Sequence, residues 1–226
     1  MHVPLVDLSA QLPLIEQEIR EGWTRVINQG GFILGDDVAA LEVELAAFSG
    51  SRHCIGVANG TDAIELACRA LGIGVGDEVI LPANTFIATA LGVARAGATP
   101  VLVDIDPVYH LIDPQQVARR ITSKTRAILP VHLFGQMAPM RPLLELAQAH
   151  ELSLIEDCAQ AHGARQYGQR AGTLGAAAAY SFYPGKNLGA FGDAGAVTTD
   201  HAPLATKLYG LRNYGSQIKY HHPELG

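Results

Sequence analysis

Cysteine is scarce in this chain and positive charge is thin. Cys54, Cys68 and Cys158 are the only cysteines among 226 residues, an odd number with no CxxC pair. That argues against a disulfide framework or a zinc site and points to a reducing cytoplasm. Sixteen Lys and Arg against 22 Asp and Glu leave a net charge of −6. A nucleic-acid binder needs clustered cations to neutralise phosphates, so that class is disfavoured. The N-terminal stretch MHVPLVDLSAQ has no basic segment followed by an apolar core, so no signal peptide is expected. The longest weakly polar stretch, 79–94, contains Pro82, Asn84, Thr85 and Thr89. It is also shorter than the ~20 residues of a membrane helix. The glycine-rich Gly72-Ile73-Gly74-Val75-Gly76 follows a helical pattern instead of a strand and does not match GxGxxG, and no GxxxxGK[ST] occurs. Nicotinamide and ATP binding are therefore unsupported. Internal repeats and low-complexity tracts are also absent.

What is present is the composition of a globular protein, 48% hydrophobic and 17% charged, with 24 glycines. At ~150 residues per domain, the length allows one large domain or one and a fraction. Helical and strand-like patterns alternate. Ile15, Ile19, Trp23 and Val26 recur at helical spacing after Pro13, and Val38, Leu41, Leu45 and Phe48 do so after Asp36, with Gly50 as a stop. Short apolar runs at 53–58, 78–81, 100–105, 127–131 and 152–155 read as buried strands. The gaps between them carry helical patterns at 62–71, 85–96, 114–121 and 139–150. A strand about every 25 residues with a helix between is the βαβ rhythm, predicting an α/β fold with a mainly parallel sheet covered on both faces. Two later runs, 177–182 and 196–199, have no helix between them and are expected as antiparallel strands at one side.

Sites in such sheets gather at the carboxyl ends of the strands, and four segments there are informative. Asn59-Gly60-Thr61-Asp62 opens a helix with a glycine, a hydroxyl and free N–H groups, the ingredients of a phosphate site. Taken alone, the plainer reading is that Thr61 or Asp62 is an N-cap. Phe86, early on the next helix, offers a flat lid for an aromatic ligand, although an isolated aromatic is more often core. Asp157, in the segment Glu156-Asp157-Cys158-Ala159-Gln160-Ala161-His162, ends an apolar strand, where a carboxylate is expensive to bury without a partner. Facing a heterocyclic nitrogen at ~4 Å, with an effective dielectric of ~20, it would supply about 4 kcal/mol, or roughly three pKa units. Its alternatives are a metal ligand beside His162 and a strand-end salt bridge. Lys186, framed by Gly185, Gly189 and Gly192, would form an imine with an aldehyde if desolvated. By itself it is a surface charge. Phosphate, aromatic ring, protonated ring nitrogen and aldehyde are together the parts of pyridoxal 5′-phosphate, and no other common cofactor asks for all four.

The segments ANGTDAIELA, GVGDEVILPANTFIATA, GATPVLVDID, VHLFGQ, IEDCAQAHGA and SFYPGKNLGAFGDAGAV resemble the DegT/DnrJ/EryC1/StrS family of pyridoxal-phosphate-dependent sugar aminotransferases, from about Pro4 to Tyr220. The resemblance implies the large domain of the type I aminotransferase fold over 1–226, with an N-terminal arm over about 1–35 and a homodimer with shared active sites. Lys186 then looks like the Schiff-base lysine and proton shuttle, and Asp157 like the partner of the pyridine nitrogen. Gln160 looks like the contact to the ring's phenolic oxygen and Phe86 like the ring-stacking residue. Gly60, Thr61 and Ser181 look like phosphate ligands, with Asp62 at the same helix start. Lysine at 186 disfavours the related sugar dehydratases, which carry histidine there. The wording around it is similar to members that aminate C3 of a nucleotide-linked 3-keto-6-deoxyhexose, usually on dTDP, with L-glutamate as donor, in deoxyaminosugar biosynthesis. Family members continue into an Asn/Arg-containing segment and a small C-terminal domain, so a truncated chain is expected. The alternative is a catalytically impaired relative that binds the cofactor or a nucleotide sugar without turnover.

Overall fold

The computed structural model describes residues 3–4, 6–216, 220–223 and 226. The five early apolar runs become strands β1 (His53–Val57), β2 (Glu78–Pro82), β3 (Thr99–Val103), β4 (Thr125–Ile128) and β5 (Ser153–Asp157). A short hairpin of β6 (Arg165–Gln166) and β7 (Gln169–Arg170) follows, then β8 (Ala177–Ser181) and β9 (Gly195–Thr199). Seven strands form one sheet in the order β1-β9-β8-β5-β4-β2-β3. β8, β5, β4, β2 and β3 run parallel. β9 is antiparallel to both neighbours, β8 and β1. Of the two late runs expected as antiparallel strands at one side, only β9 is antiparallel. It lies inside the sheet, because β1 pairs with it and closes its outer edge.

Helices cover both faces. α3 (Gly60–Ala70), α4 (Ile87–Arg95) and α7 (Ala202–Leu211) lie on one side, where Ala63, Ile64, Val93, Leu204 and Leu208 pack with Ile55, Leu81, Leu129, Ile155 and Val197. α2 (Asp36–Ser49), α5 (Pro114–Arg120) and α6 (Met140–Ala149) lie on the other, where Leu45, Val117, Met140 and Leu143 pack with Cys54, Ile80, Ile128, Leu154 and Tyr180. Alternate residues of a strand thus serve different cores, as the two-residue side-chain period of an extended chain requires. Helix α7, with Leu204, Ala205 and Leu208 turned inward, was not anticipated in the sequence. Helix α1 (Leu12–Gln29) forms where its period predicts but buries no residue. Its contacts include Trp23 edge-on to Phe191, with ring centroids 6.2 Å apart, and an Arg25–Asp37 ion pair. No helix among the described residues is long and apolar enough to cross a membrane.

Candidate active site

The carboxyl ends of β1, β2, β5 and β8 open onto one cavity of about 650 Å³, a size suited to a small ligand. Gly60, Thr61, Phe86, Asp157, Gln160, Ser181 and Lys186 all line it. They come from segments far apart in the chain, and the parallel topology brings them to one rim. Lys186 and Asp157 share the cavity.

At its α3 end, the cap is Asn59, in extended conformation, and neither Thr61 nor Asp62. Asn59 Oδ1 accepts the Asp62 N–H at 2.8 Å, and Asn59 Nδ2 donates to Asp62 Oδ2 at 3.1 Å. Gly60 starts the helix beside the buried Ser181, and a Cβ on Gly60 would lie 2.7 Å from Ser181 Cβ. The missing side chain therefore lets Ser181 lie against the helix start, so that Gly60, Thr61 and Ser181 line the cavity together. Their amides and hydroxyls are donors, and the helix N-terminus adds partial positive charge, so the set suits a phosphate. Asp62 is not part of the wall. Its carboxylate is bound to Asn59 and to Arg95, whose guanidinium is 2.9 Å away and also pairs with Glu65 at 2.8 Å. Its negative charge is thereby paired with the Arg95 guanidinium.

Phe86 is the N-cap residue of α4, one position before the helix instead of within it, and is 68% exposed. An aromatic left this open at a cavity wall has a face to offer.

Asp157, the last residue of β5, is buried. Oδ1 accepts the Ala159 N–H at 3.0 Å and Oδ2 accepts the Thr89 hydroxyl at 2.8 Å. Burial pushes its carboxyl above the usual aspartate value, while these two hydrogen bonds and the nearby Lys186 act to lower it. Gln160 is fixed by its oxygen, which accepts the Phe134 N–H at 2.8 Å. Its amide nitrogen is thus left as the donor group. The backbone partner is unusual, for Phe134 has φ 56 within the short turn Leu133–Gly135.

Lys186 sits on a turn closed by its own N–H donating to the Tyr183 carbonyl at 2.8 Å. Of the framing glycines, Gly189 is sterically required, since a Cβ there would lie 2.3 Å from the Pro184 carbonyl oxygen. Lys186 is half-buried, with its chain anchored on both sides by Phe182, which donates to Ala194 and accepts from Ala190.

Asp157 has its hydrogen-bond partners in Ala159 and Thr89, while His162 sits among aromatic rings. His162 packs against Tyr180 and Phe182, at centroid distances of 5.5 and 5.6 Å, with both ring nitrogens buried and without a hydrogen-bond partner. Burial, with Lys186 nearby, lowers its pKa and keeps it neutral. The metal-compatible group among the described residues is instead His132, Glu156 and Cys158. Glu156 is saturated, however. Oε1 accepts from the Leu174 and Gly175 N–H groups at 2.7 Å each, and Oε2 from Gly172 N–H at 2.9 Å and His132 Nε2 at 2.8 Å. His132 Nδ1 accepts the Ala138 N–H at 3.0 Å, so its ring proton is on Nε2. This is a structural latch. Thr89, Phe134 and the latch were missed in the sequence. Thr85 and Thr89 stand four apart, one helical turn, which is too common a spacing to single them out.

The model of the DegT/DnrJ/EryC1/StrS aminotransferase family matches residues 13–226. A pleiotropic regulatory protein of Geobacillus stearothermophilus is 52% identical over 226 residues, covering 100% of this chain and 61% of the relative. The dTDP-3-amino-3,4,6-trideoxy-alpha-D-glucose transaminase of Streptomyces venezuelae is 49% identical, covering 99% of this chain and 59% of the relative. The crystal structure of S. venezuelae DesV in complex with a ketimine intermediate superposes with a TM-score of 0.96 at 49% identity, over 99% of this chain and 60% of that one. The chain thus spans about 60% of the length of the relatives it matches.

Proposed function

Because the chain belongs to the DegT/DnrJ/EryC1/StrS aminotransferase family, we propose that the protein transfers an amino group to a nucleotide-linked ketosugar with the help of pyridoxal 5′-phosphate. The observation that carries this reading is the shared cavity. One amine, Lys186, and one buried carboxylate, Asp157, line a space that also has a helix N-terminus relieved of a side chain at Gly60. A set with a cation-forming amine, an anion, an exposed aromatic and a donor-lined helix start fits that cofactor's four chemical parts.

When bound, the cofactor supplies an electron sink for the carbon that loses its proton. This chain's residues do the rest. The amides of Gly60 and Thr61, with the hydroxyls of Thr61 and Ser181, would hold the phosphate. Phe86 would offer its face to the ring. Asp157 would accept a hydrogen bond from the ring N–H and so favour the cationic ring, and the Gln160 amide nitrogen would donate to the ring's phenolic oxygen. Lys186 Nζ is the amine that would engage the cofactor's aldehyde, and as a free amine it would take up and return a proton at the reacting carbon. L-glutamate is the proposed amino donor. The proposed acceptor is a 3-keto-6-deoxyhexose carried on dTDP and aminated at C3, in deoxyaminosugar biosynthesis. The name of the Streptomyces venezuelae relative, a transaminase of a dTDP-3-amino sugar, supports that class.

A homodimer belongs to the same proposal. Leu14, Trp23, Ile27, Phe32 and Ile33 are exposed along and after α1, and apolar side chains gathered in one segment suit burial against a second copy of the chain. The cytoplasm is the proposed compartment, in keeping with three unpaired, buried cysteines.

The full-length protein reconstituted with pyridoxal 5′-phosphate should be yellow. With L-glutamate it should lose the visible band and release 2-oxoglutarate, and the right member of a panel of nucleotide ketosugars should then restore the band as the amino sugar forms. A colourless protein in excess cofactor would overturn the reading, and a coloured protein inert to glutamate would reduce it to a binding module.

A further inference from the structure

The hydroxyls of Thr85 and Thr89 form a chain that ends on Asp157. Thr89 Oγ1 is 2.8 Å from Asp157 Oδ2, and Thr85 Oγ1 is 2.8 Å from Thr89 Oγ1. A carboxylate only accepts, so the Thr89 proton points at Oδ2 and its oxygen is left to accept from Thr85. The direction of both hydroxyls is therefore fixed by the charge on Asp157. The other carboxylate oxygen has its own donor in the Ala159 N–H at 3.0 Å. Each oxygen has one internal partner, and a carboxylate has room for more on the side facing the cavity.

Thr89 is 2% exposed and lies in the first turn of α4, its N–H donating to the Phe86 carbonyl at 3.1 Å. The residue that offers its ring to the cavity and the residue that grips the carboxylate are thus on the same turn. The charged and titratable groups near Asp157 are Lys186 from the loop after β8, His132 before the 133–135 turn, and the adjacent Glu156 and Cys158. Of these, Lys186 and His132 favour the anion, while burial opposes it most.

We propose that Thr89, backed by Thr85, is a positioning residue that keeps Asp157 ionised and aimed at the ring nitrogen of bound pyridoxal 5′-phosphate. This rests on the function proposed above. Neither threonine needs to touch the cofactor for the effect. A hydrogen bond to a charged, buried oxygen stabilises that charge, and a carboxylate that stays charged is what holds the ring nitrogen's proton.

The test uses the full-length protein, its Thr89→Val, Thr89→Ser and Thr85→Val variants, and pyridoxal 5′-phosphate labelled with ¹⁵N in the ring. Cofactor affinity and the pH at which the ring nitrogen loses its proton are measured, with circular dichroism to check the fold. Valine nearly matches threonine in volume but removes the donor. Thr89→Val should weaken cofactor binding about tenfold and move ring-nitrogen deprotonation to lower pH. Thr89→Ser should restore both, and Thr85→Val should shift both the same way by less. A Thr89→Val protein with wild-type affinity and wild-type ring titration overturns the proposal. So does one with weakened binding, an unmoved titration and no rescue by serine. Should Thr89→Val fail to fold, the half-buried Thr85 decides, and an unmoved ring titration in Thr85→Val sinks the hydroxyl chain. Wild-type protein that fails to take up the cofactor overturns the functional reading itself, separately from any variant.

Discussion

Glu156 and Asp157 are adjacent in β5 and serve opposite sides of the sheet. Glu156 turns, with Leu154, toward the α6 side and is held by His132 and three backbone N–H groups; Asp157 turns, with Ile155, toward α3 and α4 and the cavity. The same strand end therefore carries one carboxylate for architecture and one for chemistry. Their surroundings push their ionisation in opposite directions. In both, burial is the largest influence and acts to raise the pKa. For Glu156 the bonds from His132 and the backbone outweigh it and the value falls, whereas for Asp157 they do not and it rises.

Substituting Lys186 by Ala should abolish the visible band of the reconstituted protein and lower transamination by about 10²–10⁴-fold or more. Absorbance with and without cofactor, together with 2-oxoglutarate release, checks it. Pyridoxal phosphate should still be retained non-covalently, because the phosphate and ring contacts remain.

The Glu156→Ala variant should lose about 3 kcal/mol or more of stability, since it strands several buried donors that each cost ~1–3 kcal/mol unpaired. Urea unfolding measures this. The pH sign follows from a folded value below the ordinary 4.5. The Glu156 contribution is present above that unfolded value and is lost as pH falls through the lower folded one. In the variant, that part of the acid-side slope should be missing.

Asp157→Asn should act the other way on the cofactor-free protein. Asp157 has a folded value above its ordinary 3.8, so its ionisation costs stability as pH rises through that range. Asparagine removes the cost. Its Oδ1 can keep the Ala159 N–H while its amide donates to Thr89, which then turns its proton to Thr85. The apoprotein should be at least as stable as wild type at pH 7, by thermal unfolding, while cofactor affinity and turnover fall sharply. Stability lost together with binding would contradict this assignment.

Gly60→Ala places a methyl 2.7 Å from Ser181 Cβ, and neither group is the tip of a flexible chain. Overpacking of this kind costs about 1–3 kcal/mol. The larger effect should be on binding, because the methyl pushes Ser181 and the helix start apart and so displaces the donors proposed for the phosphate. Isothermal titration with pyridoxal 5′-phosphate should show affinity reduced at least tenfold, with the unchanged aldehyde analogue pyridoxal far less affected.

The βαβ rhythm was legible because strands buried on both faces read as continuous apolar runs and their helices as a 3.6-residue period. It fails where that logic does not apply. The Ala-rich run of β8 says nothing of direction, and β9 was misplaced because antiparallel insertion between β8 and β1 is a matter of long-range pairing. The plain reading of the cap at α3 is Thr61 or Asp62, although Asn59 holds it, since three candidates within four positions differ only in backbone angle.

The sequence by itself determined the alternation of helices and strands through β5 and the residue types able to handle a phosphate, a ring, a ring nitrogen and an aldehyde, because local periodicity and side-chain chemistry are written residue by residue. Only the tertiary structure decided that Gly60, Asp157 and Lys186 meet at one cavity, that Asp62 is paired with Arg95, and that Thr89 reaches Asp157 across 68 positions of chain. Those are contacts between segments whose distance in sequence carries no information about distance in space. They exist because parallel strands deliver all their carboxyl ends to the same side.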